Sequence, residues 1–258
     1  MLSVDRYFSW FTESSFTLFS FPHLLTLFLV GSCIIGMFLF RKTLRNKLPN
    51  LVIRLMIAYL LLLSEISFHA WFAYYNEWSI TTALPLQLSS ISLFLAIALV
   101  LTKNKTLFPI TYFAGSASAL LAMITPDLGP YAFPHFRFFH FFIAHGGILL
   151  ATCFMIIVEK AFPSYRSLWM SFAGLNIYVL LLFPLNLTLG SNYMFLMKEP
   201  ASQTLISYLG PWPFYLLSLE VITIIVFHLL YLPFHFLLRR PFHHSPLFNN
   251  REIRKRTL

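Results

Sequence analysis

Apolar residues run in seven long blocks along this chain, separated by short polar or Pro- and Gly-containing loops. The blocks cover about 16–40, 51–74, 80–102, 106–125, 138–158, 167–189 and 211–238. None shows the alternating ten-residue pattern of a membrane β-strand. Each is near the roughly 20 residues that carry a helix across about 30 Å of hydrocarbon. Backbone groups in lipid must be satisfied within their own segment, so these blocks predict helices. The expected fold is an all-α membrane protein, a bundle of seven transmembrane helices. The longest loop, Gly190 to Gly210, is too small for a soluble domain. A seven-helix domain over 1–238 and a basic tail over 239–258 are therefore expected. The first block does not read as a cleavable signal: Asp5, Arg6 and Glu13 precede or enter it, and its apolar run is too long.

Composition agrees with the pattern. Of 258 residues, 58% are hydrophobic and only 10% charged, against about 25% charged in soluble domains. Mean hydropathy is +0.74. The charges that remain set an orientation. Fifteen of the 18 Lys and Arg fall on one side of the predicted spans, from Arg41, Lys42, Arg45, Lys47 and Arg54 to the tail after Arg239. Arg6, Arg137 and Lys198 fall on the other. Basic loops face the cytoplasm, which predicts an outside N-terminus, a cytoplasmic C-terminus and a multi-pass protein of the cell membrane. The net charge of +9 is mostly this bias. No basic face on a soluble domain supports nucleic-acid binding. The tail reads as a charged stop that touches anionic lipid; His243 and His244 lack partner residues for a metal. Cys33 and Cys153 lie in different spans and read as small packing residues rather than a disulfide.

Polar side chains inside membrane spans are energetically unfavourable and tend to mark function. Here Glu65, His69, Gln87, His140, His145, Asn186 and Glu220 gather near the outer face. Glu65 and His69 are four residues apart, on one helix face. The carboxylate either sets the imidazole tautomer or makes a packing hydrogen bond. Glu220 lies at the depth of Glu65. Gln87, Ser89 and Ser90 open the third span, with Pro85 in its first turns. Asp127, His135 and Arg137 belong to a Pro- and Gly-rich outer loop. His140 and His145 follow on span five, their directions differing by roughly 140°, so they are not expected to face one centre. Gly146 and Gly147 permit a close neighbouring helix. Asn192 and Tyr193 lie in the loop after span six.

Several motifs resemble a known family. They are Ser-Asn-Tyr-Met-Phe-Leu-Met-Lys-Glu-Pro (191–200), Leu-Gly-Pro-Trp-Pro (209–213), Thr-Pro-Asp-Leu (125–128), Phe133-Pro134-His135 and Phe142-Ile143-Ala144-His145-Gly146. Together they resemble the YwaF family of bacterial integral membrane proteins, over nearly the whole chain. The resemblance implies seven transmembrane helices. It also implies a relation to a eukaryotic enzyme, transmembrane protein 164, which acylates lysophospholipids. One departure stands out. The family pattern Leu-Pro-Leu-His-Leu-Cys reads Leu84-Pro85-Leu86-Gln87-Leu88-Ser89 here. Serine in place of cysteine counts against a thiolate route and demands stronger activation by a neighbouring base.

Three functions are open at this point. The leading one is an acyltransferase acting on membrane phospholipid or a lipid-linked acceptor from an extracytoplasmic pocket, with no cofactor. His145 would be the general base, Glu65 or Asp127 would orient it or balance its charge, and Ser89 is the candidate nucleophile. His69, Gln87, His135, Arg137, His140, Asn186, Asn192, Tyr193 and Glu220 would bind substrate, with Arg137, Asn192 or Tyr193 meeting phosphate or oxyanion. The second is a metal-dependent membrane lipid hydrolase using His69, His140 and His145. The third is a small proton-coupled transporter built on Glu65, Glu220, His145 and Asn176. Polarity below Asn176 and Glu220 is sparse, which favours an enzyme over a carrier.

Overall fold

The computed structural model describes residues 5–200 and 204–239, and within 5, 6 and 237–239 only the backbone. The tail after Arg239, with its expected lipid contact, lies outside the described residues. Among the described residues the chain is all helical, without strands. Six helices are long and apolar enough to cross a membrane, so the chain is a multi-pass membrane protein. They are α1 (Phe21–Leu39), α2 (Lys47–Tyr74), α4 (Leu107–Ile124), α5 (Phe136–Ile157), α6 (Tyr165–Leu189) and α7 (Phe214–Arg239).

The third predicted span behaves differently. Only Leu88–Thr102, here α3, is helical. At 15 residues it reaches about 22 Å. Residues 80–87 form turns and extended chain instead. Pro85 disfavours helical backbone at Leu84, and Gln87 adopts an extended N-cap conformation. Pro85 therefore lies ahead of the helix rather than in its first turn.

The other helix ends follow local chemistry. His135 caps α5 by accepting the Arg137 N–H at 3.1 Å. Ser164 and Ser167 form a reciprocal capping box on α6, and Gly190, at φ +64°, closes it in the left-handed region. Within α4, Thr111–Gly115 forms a π turn.

Helix α5 is the centre of the bundle: 61% of its most apolar window is buried, against 11% for α1 and α7. Glycine makes this possible. A Cβ on Gly147 would come within 2.6 Å of Leu61 Cδ2 on α2, and one on Gly146 within 3.0 Å of Val30 Cγ2 on α1. Both outer ends of the core are tied by hydrogen bonds. The N-terminal segment is held by Trp71 Nε1 donating to Phe8 O, Tyr131 Oη to Trp10 O, and His135 Nε2 to Ser9 O. His23, fully buried, accepts from Phe19 N and donates to Met123 O.

The opposite end is clamped by charge. Arg54 donates to the carbonyls of Val100 and Leu101 at the end of α3, and Arg45 to those of Ile157 and Val158 at the end of α5. Both satisfy carbonyls that a helix C-terminus leaves free. Glu159 joins them, accepting from Asn50 at 2.6 Å and pairing with Lys103 at 2.9 Å. Both cysteines are free thiols; Cys33 is exposed on the bundle's outer surface rather than packed.

Candidate functional site

A cavity of about 590 Å³ lies between α2, α3, α4, α5, α6 and α7. Its walls carry Glu65, Gln87, Ser89, Asp127, Arg137, His140, His145 and Glu220. Eight of the thirteen residues expected at a site thus share one chamber. His140 and His145 both line it, against expectation. The cavity simply wraps about 140° of α5, since Arg137, His140, Phe141 and His145 all border it.

His145 is buried, and its Nδ1 donates to the Phe141 carbonyl at 2.7 Å. A carbonyl can only accept, so the proton sits on Nδ1. Nε2 is then an unprotonated acceptor on a cavity-lining ring, with no hydrogen-bond partner among the described residues. Neither Glu65 nor Asp127 orients this ring; the backbone of its own helix does.

Glu65 is engaged elsewhere. His69 Nδ1 accepts from Trp78 Nε1 at 3.2 Å, which leaves the proton on Nε2, 3.4 Å from Glu65 Oε1. His69 therefore backs the carboxylate from outside the cavity lining. Across the chamber Glu220 accepts from Asn176 Nδ2 at 3.2 Å.

Arg137 sits in an aromatic frame, 4.5 Å from the Phe68 ring centroid and about 6 Å from Trp71 and Tyr131. Its Nη1 donates to His140 Nδ1 at 3.0 Å. No carboxylate oxygen lies within 4 Å of it among the described residues. His140 stacks on Phe68 at 4.6 Å, and its Nε2–H is buried with no partner among the described residues. The guanidinium and the adjacent orphaned N–H offer donors to an anion, although the carboxylates of Glu65 and Asp127 border the same cavity. Phe68, three residues from Glu65, was not singled out by sequence reading. Its spacing on the helix is the signal that would have found it.

The shortened start of α3 adds a further feature. Leu88, Ser89 and Ser90 line the cavity, and their backbone N–H groups have no intrahelical partner. Three such amides at a helix N-terminus favour negative charge. Ser89 Oγ makes no hydrogen bond among the described residues, so it has no base poised on it.

Asn186, Asn192 and Tyr193 do not line this cavity; they hold the chain around it. Asn186 is buried and holds the following loop through Tyr193 N at 2.8 Å, Tyr193 O at 3.0 Å and Ser191 Oγ at 2.7 Å. Asn192 accepts from Met197 N and Lys198 N. Tyr193 Oη accepts from Leu84 N and donates to Ile80 O. Gln87 Oε1 accepts from Met194 N at 2.8 Å, leaving its amide N–H₂ without a partner among the described residues. These bonds pin a lid whose Met194, Phe195 and Leu196 roof the cavity. Met194 and Phe195 both have positive φ, 57° and 54°, a conformation non-glycine residues hold only when their surroundings impose it. His135 likewise caps α5 and ties Ser9 rather than facing the chamber.

His69, His140 and His145 do not converge. Among the described residues no group of three His, Cys, Asp or Glu side chains is arranged to hold a metal ion.

No curated protein and no solved structure matches the chain. The TMEM164 family model does, over residues 18–231, in line with the resemblance carried by the motifs. The chain belongs to the TMEM164 family.

Proposed function

We propose that this protein is a cell-membrane acyltransferase that acts on phospholipid or a lipid-linked acceptor from a chamber open to the extracytoplasmic side. The reading takes α3, with the extended segment before it, as a seventh membrane crossing. It puts the N-terminus outside and the C-terminus in the cytoplasm, as the Lys and Arg distribution favours. The basic tail would then meet anionic lipid.

The observation that carries the proposal is the state of His145. Its proton is fixed on Nδ1 by the Phe141 carbonyl, and its free Nε2 belongs to a chamber that also holds unpaired donors. In the reaction Nε2 takes the proton from an acceptor hydroxyl. The resulting oxygen attacks the donor's ester carbonyl carbon. Negative charge then develops on the carbonyl oxygen, where the amides of Leu88, Ser89 and Ser90 and the Gln87 amide are available as donors. The tetrahedral intermediate collapses by breaking the bond to the leaving oxygen, which takes the proton back from the imidazolium. Arg137 and the His140 Nε2–H would hold a phosphate. Glu65 and Asp127 would balance the positive charge that builds on His145.

Direct transfer is favoured over a Ser89 acyl-enzyme because Ser89 has no hydrogen-bonded base. Replacing His145 with Ala should lower acyl transfer in membranes by about 10²-fold or more, with the variant's membrane abundance unchanged. Retained activity in that variant would end the proposal.

A further inference from the structure

The ionisable groups account for only part of the cavity lining. Below His145 its walls are mostly apolar, with the hydroxyls of Ser118 and Thr223 as exceptions, and α4 turns a stripe of small residues toward the void: Ala114, Ala117 and Ser118. Small residues in membrane helices usually bring two helices together. Here they keep a space open. The floor is formed by Leu175, Val226 and Phe227, the last 1% exposed. It is braced from beneath by Phe113 against Phe227, at 5.3 Å between ring centroids, and by Tyr112 Oη donating to Leu230 O at 2.9 Å. Both braces come from the π turn of α4, a feature that often accompanies a functional site.

The same space has a side opening. Phe183 on α6, Leu205 in the loop before α7 and Leu217 on α7 all line the cavity, yet are 36%, 37% and 68% exposed. At Phe183 and Leu217, which lie on membrane helices, such exposure faces hydrocarbon, not water. From Leu217 to Phe227 the wall of α7 runs about 15 Å, apolar at Leu217, Leu219, Val226 and Phe227 and polar only at Glu220, which is held by Asn176, and Thr223, a length suited to an alkyl chain. The lid of Met194, Phe195 and Leu196 closes the space from above.

We propose that the lower half of the cavity is an acyl-chain channel, entered sideways from the bilayer between α6 and α7, with Ala114 on its wall and Phe227 on its floor limiting the chain admitted. The occupant is one fatty acyl chain of a membrane glycerolipid. Its ester end would lie at the level of His145 and the start of α3. The inference rests on the acyl-transfer reading only for which end of the chain faces the polar groups.

The test is photocrosslinking of the full chain in phosphatidylcholine vesicles doped with phosphatidylcholine that carries a diazirine at the end of one acyl chain. Crosslinks are expected on the peptides that contain Ala114 and Phe227. They should be outcompeted by unlabelled phosphatidylcholine and fall severalfold in Ala117→Leu, which narrows the channel. Leu217→Trp, at the exposed rim, should reduce them too and decides the matter if Ala117→Leu does not fold. His145→Ala should label as the native chain does. Crosslinks confined to outward-facing positions such as Leu180 and Leu229, or unchanged in both channel variants, would overturn the channel. The two proposals fail separately. Channel labelling with no loss of transfer in His145→Ala removes the base and leaves the channel. Loss of transfer in His145→Ala with labelling only on the outer surface does the reverse.

Discussion

His145 and His135 show how a backbone contact decides what an imidazole does. At His145 one nitrogen is fixed and the other is free, so the ring can accept a proton. At His135 both nitrogens are engaged: Nδ1 accepts from Arg137 N and Nε2 donates to Ser9 O. The first bond caps α5 and requires the neutral ring. Burial holds His135 below the ordinary imidazole range; the hydrogen bond to Ser9 pulls the other way, and the nearby Arg137 charge lowers it again. A histidine depressed in the folded state contributes stability at pH above its unfolded value of about 6.5. That contribution is lost as pH falls from there toward the folded value, because the unfolded chain binds the proton first. Acidification across this window should therefore lower the Tm of the detergent-solubilised protein. Asparagine also caps helices but does not titrate, so His135→Asn should flatten that part of the pH dependence. An unchanged slope in His135→Asn would assign it to another group. Glu159, at the other end, is also held down and so also loses its contribution as pH falls, but the cause is its partners rather than burial. Burial alone would raise its pKa, but the hydrogen bonds from Lys103 and Asn50 and the charges of Lys103 and Arg54 prevail and hold it below the usual carboxylate range.

The helices were largely readable from hydropathy, because a bilayer imposes one length on every span. Lys47–Tyr74, Phe136–Ile157 and Tyr165–Leu189 begin and end within a few residues of the apolar blocks. The start of α3 was not readable that way. Residues 80–87 are apolar enough to pass as helix, and only Pro85 and the bond from Met194 N to Gln87 reveal extended chain. The lid was hidden for a related reason. Asn186, Asn192 and Tyr193 read as substrate ligands because polar residues at the outer edge of a membrane protein often are. The partners of Asn186 and Asn192 lie in the next few residues and are mostly backbone groups, while Tyr193 reaches the backbone of Leu84 and Ile80, a pattern that carries no signature in composition. By contrast Glu65, His145 and Glu220 could be brought to one chamber from depth alone. The lid gives a measurable consequence. Asn186→Ala would leave the Tyr193 N–H and other buried groups unpaired, at about 1–3 kcal/mol for each. The expected result is a lower Tm together with faster backbone hydrogen exchange in residues 191–197. Exchange unchanged in that segment would mean that the lid does not depend on Asn186.

For the molecule as a whole, the two ends of the bundle are built from different chemistry, and this bears on how it sits in the membrane. One end is a charge clamp, where Arg45, Arg54, Lys103 and Glu159 close helix ends. The other is aromatic and polar, with Trp10 packed on Trp71 at 4.5 Å and the chamber beneath the lid. Lys and Arg are retained on the cytoplasmic side during insertion, whereas aromatic residues collect at either interface. The clamp end should therefore be cytoplasmic and the chamber end extracytoplasmic. Both native cysteines lie within helices, which makes a labelling test direct. In a Cys33→Ser, Cys153→Ser background, cysteine placed at Lys198 should react with a membrane-impermeant maleimide on intact cells. Cysteine placed at Lys105 should react only after the membrane is opened. Lys198 lies on the lid side and makes no ion pair among the described residues, and Lys105 lies in the short turn between α3 and α4. Neither substitution removes a contact that holds the bundle. The reverse labelling pattern would put the chamber on the cytoplasmic face. It would then meet inner-leaflet lipid and cytosolic acyl donors, and the chemistry proposed for His145 would have to be tested on that side.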